Sequence, residues 1–289
     1  MKQAILITAY KDLEFIKRII QYFDDDFEFY IHVDTKCREE STILPCHKNV
    51  HVYSEYHIQW GGSNHLKAIW FLIKQSVLSG QYEYFHLITG SDYPIKPLTE
   101  FKSFFENHKL DNFIEYFPLP RPSWGADGGL RRILYYWPLI NHLDVRSKWY
   151  QVVHLMLRIQ RKLGIKRSFP YFGGKLWAGG TYWSLSAQAI ECVTRFVAEN
   201  PDYIKRFNYT AIGEEIFIQT ILKNHPDICL TNNYLRFIDW GDGFAPVTLT
   251  GAHFDKIARS DCFFARKLDS EISAVLLQLI DDQILKTKA

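Results

Sequence analysis

The 289-residue sequence lacks most of the motifs by which a phosphate or metal site is usually read. It holds no GxxxxGKS or GxxxxGKT segment and no GxGxxG after its first apolar run, which excludes a P-loop and a dinucleotide fingerprint as the phosphate cradle. No DxD triplet closes a predicted strand, so a ready-made divalent-cation site is missing. The nearest substitutes are "DDD" at 24–26, read as the polar exit of a helix, and "DWGD" at 239–242, a weak cation loop. The five cysteines (37, 46, 192, 229 and 262) are odd in number and form no CxxC pair, which argues against a zinc site or disulfide framework and fits a reducing compartment. The apolar run in "MKQAILITAY" is about six residues, far short of a membrane span or signal-peptide core. We read it as the first strand of a cytoplasmic protein.

What is present is aromatic and apolar. Hydrophobic residues make up 47% of the chain and aromatics 16%, enough for a large core and also suited to stacking on sugars or bases. Over the first hundred residues strand and helix patterns alternate: strands at 4–10, 27–34, 49–55 and 82–92, helices at 12–23 and 63–80. That alternation predicts an α/β fold with a mostly parallel sheet, whose ligands bind beyond the carboxyl ends of the strands.

By that rule Asp34, Ser54, Glu55 and Thr89 to Asp92 converge on one crevice. In "LITGSDYPIKPL" (87–98), Gly90 and Ser91 keep bulk low where a ligand could approach, and Pro94 and Pro97 are expected to stop sheet pairing. The same segment also reads as a simple turn.

Between Arg121 and Lys175 eleven Lys and Arg face two acids, a local balance of 11 − 2 = +9, which leaves −7 for the rest of the +2 chain. Residues 146–163 have an amphipathic helical pattern with Arg158, Arg161 and Lys162 on one side. This face suits anionic lipid or a phosphorylated acceptor, or else is a solvated basic helix. No internal repeat or linker interrupts the chain. We expect one domain over 1–289: a donor-nucleotide half to about 117, a basic helical insertion over about 118–175, and an acceptor and catalytic half from about 176.

In "TAIGEEIFIQTILKN" (210–224) Glu214 and Glu215 open an apolar helix. They serve either as ordinary first-turn acids or as a general base, in which case Glu215 is expected inward, on the face of Gln219, and Glu214 outward. "FFARKLD" (263–269) sets Arg266 beside Lys267, candidates to neutralise a diphosphate in the absence of a metal.

Taken in order, "ILITAY", "YIHVDTK", "WGGSNHLKA", "LITGSDYPIK", "GGTYWSLS", "GEEIFIQTIL" and "LTGAHFDKIARSDCFFARKLD" resemble the core-2/I-branching N-acetylglucosaminyltransferase family, which includes the peptide O-xylosyltransferases, in a bacterial-type member. The resemblance spans roughly residues 4–269 and implies a GT-A-like, Rossmann-like mixed sheet flanked by helices. It also implies an inverting transferase that uses a UDP-sugar and no divalent metal or other cofactor. Carried over by residue, it puts His32 and Asp34 at the uridine end of the donor, and Gly90 and Asp92 beside the donor sugar. Glu215 falls at the catalytic base and Lys267 at the leaving diphosphate, with Trp60 near the same crevice. Glu214, Arg236 and Trp177 are further donor or acceptor contacts. The family's arginine two dozen residues before that lysine falls here near Phe244, leaving Arg266 or Arg236 to substitute.

The expected partners are a UDP-sugar and a glycan acceptor, lipid-linked if residues 121–175 meet an anionic membrane at its inner face, and no nucleic acid. GlcNAc is the first choice of sugar, with xylose or another hexose open. The alternatives are a binding protein that keeps the fold without catalysis and a metal-dependent transferase using Asp239 or Asp242.

Overall fold

The computed structural model describes residues 1–144, 147–243 and 245–286. Four strands, β1 (Gln3–Ala9), β2 (Phe27–Val33), β3 (Val50–Tyr53) and β4 (Tyr84–Thr89), run parallel. After a short turn follow β5 (Asp92–Pro94), β6 (Phe113–Ile114), β7 (Phe117–Pro118), β8 (Trp177–Ala178), β9 (Trp183–Ser186), β10 (Arg236–Ile238) and β11 (Phe264–Arg266). The main sheet has the order β3-β2-β1-β4-β9-β6, with β9 antiparallel to both its neighbours. A three-stranded sheet of order β10-β11-β5 and a β7-β8 pair complete the set. This is the mixed α/β, Rossmann-like arrangement expected from the sequence.

β1 is buried along its whole length because both faces of the sheet are covered. Ile5, Ile7 and Ala9 face one layer, built with α1 (Leu13–Tyr22) and α3 (Leu98–Asn107). Ala4 and Leu6 face the other, built with α2 (Ser63–Ser79). The insertion contributes α4 (Arg131–Leu134) and α5 (Tyr150–Lys162), and α6 (Ala187–Glu199), α7 (Pro201–Lys205) and α8 (Phe217–Lys223) join the α2 layer. α9 (Phe254–Ala258) and α10 (Ala274–Ile280) return to the α1 layer. The two sequence halves are therefore not two spatial halves, since the last third of the chain supplies both layers.

Three local expectations are corrected. Pro94 does not end pairing: β5 enters the second sheet antiparallel to β11, as an edge strand, where a residue without an N–H is tolerated. The 210–224 helix divides into a 3-10 turn, Gly213–Glu215, and α8, so Glu215 and Gln219 do not share one continuous helix. The basic helix begins at Tyr150, and Val145 and Arg146 lie outside the described residues. "DDD" is held against α3, where Lys102 pairs with Asp24 at 2.9 Å and with Asp26. Among the described residues no helix is long and apolar enough to cross a membrane.

Candidate active site

The crevice lies at the carboxyl ends of β1, β2 and β4. At the end of β2, Asp34 is fully buried and accepts from the backbone N–H of Lys36 (3.0 Å) and of Ile58 (3.1 Å). His32, also fully buried, accepts at Nε2 from the N–H groups of Glu55 and Tyr56 at 3.2 and 3.1 Å. Its Nδ1 therefore carries the proton, and burial lowers its pKa to about 4, so it stays neutral. Both side chains are spent on pinning the 54–58 loop that walls the crevice, so their influence on a ligand passes through that loop.

At the end of β4, Asp92 is likewise fully buried. One carboxylate oxygen accepts from the Thr89 N–H and from Thr89 Oγ1 (2.7 Å) and meets Arg266 Nη1 at 3.3 Å. Arg266 Nη1 also donates to Thr89 Oγ1 at 2.5 Å. The register of β5 on β11, with Asp92 opposite Arg266, makes this pairing. The carboxylate is thus committed to its own turn and to a guanidinium, and is not open to sugar hydroxyls. A Cβ on Gly90 would meet Ile16 and Ala9 at 3.4–3.6 Å, ordinary van der Waals contact, so the packing there does not itself demand glycine. Lys267 is half-buried, and its ammonium has no hydrogen-bond or ion-pair partner among the described residues.

The opposite wall carries the two glutamates. Neither points outward, and this corrects the expectation for Glu214. Glu214 is the more buried, and its Oε1 accepts from His65 Nδ1 at 2.9 Å. His65 Nε2 in turn meets Thr8 Oγ1 at 3.2 Å, and Thr8 lies opposite Thr89 in the β1-β4 register. Glu215 keeps a quarter of its side chain open and pairs with Arg132 Nη1 at 2.7 Å, while the Arg132 guanidinium stacks 3.9 Å over Trp124. Its pKa is raised to about 7: desolvation in the crowded cleft and the neighbouring Glu214 push it up, and Arg132 opposes them. A carboxylate that titrates near neutrality is matched to proton abstraction at physiological pH.

Tyr182 joins the two walls. Its half-buried ring lies 4.5 Å from the Arg266 guanidinium, and it senses the charges of Arg266 and Asp92 on one side and of Glu215 and Glu214 on the other. The Gly179–Gly180 pair before it permits this, because a Cβ on Gly179 would fall 1.8 Å from the Glu115 carbonyl oxygen. Gly180 N–H donates to the Glu115 carboxylate at 2.7 Å, and Gly179 N–H to the Glu215 carbonyl at 2.9 Å. Beside Glu115 opens a cavity of about 520 Å3, lined by Tyr116, Phe117, Arg121, Asn232 and Tyr234.

The remaining candidates divide. Trp60 is 68% exposed, next to Gly61, whose carbonyl holds the Ile212 N–H ahead of the glutamates. Trp177 packs on Tyr116 and under Lys223. Arg236 borders the cavity beside Glu115, with most of its guanidinium committed to the fold. It is buried, and its guanidinium donates to the carbonyls of Leu87, Trp183 and Tyr234 and to Ser184 Oγ. Phe244, where the family arginine was sought, lies outside the described residues. Asp239 accepts from its own turn at Gly241, Asp242 is exposed, and among the described residues no three His, Cys, Asp or Glu side chains converge.

Sequence reasoning passed over His65, Arg132, Tyr182 and Glu115. Three of them lie in segments already singled out: His65 in "WGGSNHLKA", Tyr182 in "GGTYWSLS" and Arg132 within the basic stretch.

No curated protein matches the chain. Among solved structures, S. aureus TarS aligns at 18% identity and a TM-score of 0.27 over 39% of this chain and 21% of its own. The TarS 1–349 structure gives the same values over 35% of its length. The chain thus covers only about a fifth to a third of those proteins. The model of the Core-2/I-Branching enzyme family matches residues 4–258, stopping short of Arg266 and Lys267. Because that match runs from β1 to α9 and takes in Asp34, Asp92 and Glu215, the chain belongs to the Core-2/I-Branching enzyme family, a family of glycosyltransferases.

Proposed function

We propose that the chain is an inverting glycosyltransferase that moves a sugar from a UDP-sugar to a hydroxyl of a glycan acceptor without a divalent metal. GlcNAc is our first choice of sugar, with xylose or another hexose as alternatives. The observation that carries this reading is Glu215, a carboxylate poised near neutrality at a strand-end crevice and faced across Tyr182 by the Arg266 guanidinium. Glu215 accepts the proton of the acceptor hydroxyl as that oxygen attacks C1 of the sugar. The bond from C1 to the diphosphate oxygen breaks on the opposite face, and the charge it leaves meets Lys267.

Metal independence is supported by the pairing of Asp92, the acid at the end of β4, with Arg266. The aromatic and amide-lined cavity next to Glu115 suits a glycan. The basic segment 121–175 is the surface by which we place the enzyme on an anionic membrane, next to a lipid-linked acceptor.

The test is thermal stability against UDP-, GDP-, CMP- and dTDP-sugars, in EDTA and in manganese, followed by UDP release. A shift with one UDP-sugar in EDTA is expected. Glu215→Gln should keep that shift and lose about 10² to 10⁴ in turnover. A shift that needs manganese refutes metal independence, and no shift with any nucleotide moves the chain to a binding protein of the same fold.

A further inference from the structure

α5 turns two stripes to solvent, a polar one of Gln151, His154, Arg158, Arg161 and Lys162 and, beside it, an apolar one. Its inner face, Tyr150, Val153 and Leu157, packs on Trp137, Ile140 and Ala211. On a repeat of 3.6 residues the opposite face is Val152, Leu155, Ile159 and Leu163. Leu155 is 53%, Ile159 47% and Leu163 67% exposed, with Met156 beside them. Trp149 stands exposed at one end of the stripe and Ile165 just past the other. An ordinary surface helix carries its charges there.

Arg158 and Lys162 line one edge of the stripe and Lys148 and Lys166 lie beyond its two ends, all exposed, and Arg158 and Lys162 have no ion-pair partner among the described residues. No Asp or Glu occurs between residues 145 and 190. An apolar stripe edged by Lys and Arg with a Trp at its end has the composition of a helix lying in a lipid interface. A second copy of the chain would set like charges against each other.

The geometry points to insertion of the apolar stripe of α5 into the headgroup region of an anionic bilayer. Leu155, Ile159 and Leu163 lie below the phosphates, and Lys148, Arg158 and Lys162 lie level with them. This deepens the membrane contact proposed above and rests on it. It also changes which residues make that contact, from the basic side of the helix to the apolar stripe. The inner face of α5 touches Ala211, two residues before the turn that carries Glu214 and Glu215, so the membrane would be held on the segment that presents the base.

The test is co-sedimentation of the full chain with phosphatidylcholine vesicles, with and without a third of phosphatidylglycerol, at low and high salt. Wild type should bind the anionic vesicles, and high salt should weaken binding without abolishing it. Leu155→Ser with Ile159→Ser should lower partitioning at least about tenfold with unchanged thermal stability. Arg158→Gln with Lys162→Gln should remove the preference for phosphatidylglycerol. Binding lost fully in salt and indifferent to the apolar pair overturns insertion and leaves an electrostatic contact. Absence of binding to any vesicle overturns both readings. Self-association of wild type that the apolar pair abolishes, without effect on vesicles, assigns the stripe to a second copy and overturns the lipid reading. None of these readouts depends on transferase activity.

Discussion

Arg132→Gln tests how Glu215 is held near neutrality. The pair is 2.7 Å apart, with 21% and 25% of the two side chains open to solvent. At an effective dielectric of about 20, unit charges about 4 Å apart attract by about 4 kcal/mol. Solvent screening and the lost hydration of both groups leave roughly a third of that as the net effect, about 1.4 kcal/mol, or one pH unit. Glu215 titrates at about 7 with Arg132 in place. The acid limb of kcat/KM should therefore move from about 7 to about 8 in the variant. At pH 7 the ionised fraction falls from about a half to about a tenth, a rate loss of about fivefold that is recovered by about pH 9. The assay is UDP release from the donor identified by the stability screen, over about pH 5.5 to 9.5. A lower plateau with an unmoved limb would show that Arg132 holds substrate and does not tune Glu215, and the electrostatic account would fail.

Glu215→Gln should also be more stable than wild type in alkaline solution. A carboxyl raised from 4.5 to about 7 binds more protons in the folded than in the unfolded chain. Stability from this group is complete below pH 4.5 and is lost as pH rises to about 7, so the variant should gain about 3 kcal/mol at pH 8 and almost nothing at pH 4. Thermal unfolding at both values checks this, and a variant less stable at pH 8 would refute it. Gly179→Ala places a Cβ 1.8 Å from the Glu115 carbonyl, with no flexible atom to yield. The β8 to β9 connection must shift, and with it the Gly179 bond to Glu215 and the Gly180 bond to Glu115. A loss of about 3 kcal/mol and of most activity is expected, and unchanged kinetics would show that this contact does not place the base.

The fold was legible because its signals are local. β1 is buried on both faces and reads as a continuous apolar run, β2 and β4 are nearly so, and α2 is bounded by Gly62 and Gly80. What failed was long-range. The pairing of β5 with β11 joins residues some 170 positions apart, and no local pattern shows that Arg266 would neutralise Asp92. Charge counting placed Arg132 among eleven equivalent cations, although among the described residues it alone stacks on Trp124 and reaches Glu215. Arg167 from the same stretch is buried against the carbonyls of Tyr135, Arg206 and Tyr209, so a basic segment by composition is partly structural in the fold. The outward prediction for Glu214 assumed a continuous helix; the break at Ile216 turns both acids inward.

The pairing pattern also bears on the two adjacent cations, Arg266 and Lys267. Arg266 and Arg132 each hold a carboxylate, Asp92 and Glu215, inside the crevice. Arg266 meets Asp92 and Thr89 through Nη1, and any movement toward a diphosphate that broke this contact would leave a fully buried carboxylate without its ion pair, at a cost of about 3–5 kcal/mol. Lys267 has no carboxylate to release among the described residues, and in the proposed function its ammonium is the group that meets the leaving diphosphate. The two variants should therefore differ in kind. Arg266→Met should unfold at markedly lower temperature, by the amount an unpaired Asp92 implies, whether or not nucleotide is present. Lys267→Met should keep wild-type stability in the absence of ligand, lose most of the stabilisation by UDP, and lower turnover. If Lys267→Met bound UDP as wild type does while Arg266→Met folded normally and lost it, the diphosphate would belong to Arg266, and the Asp92 pair would be one that substrate breaks.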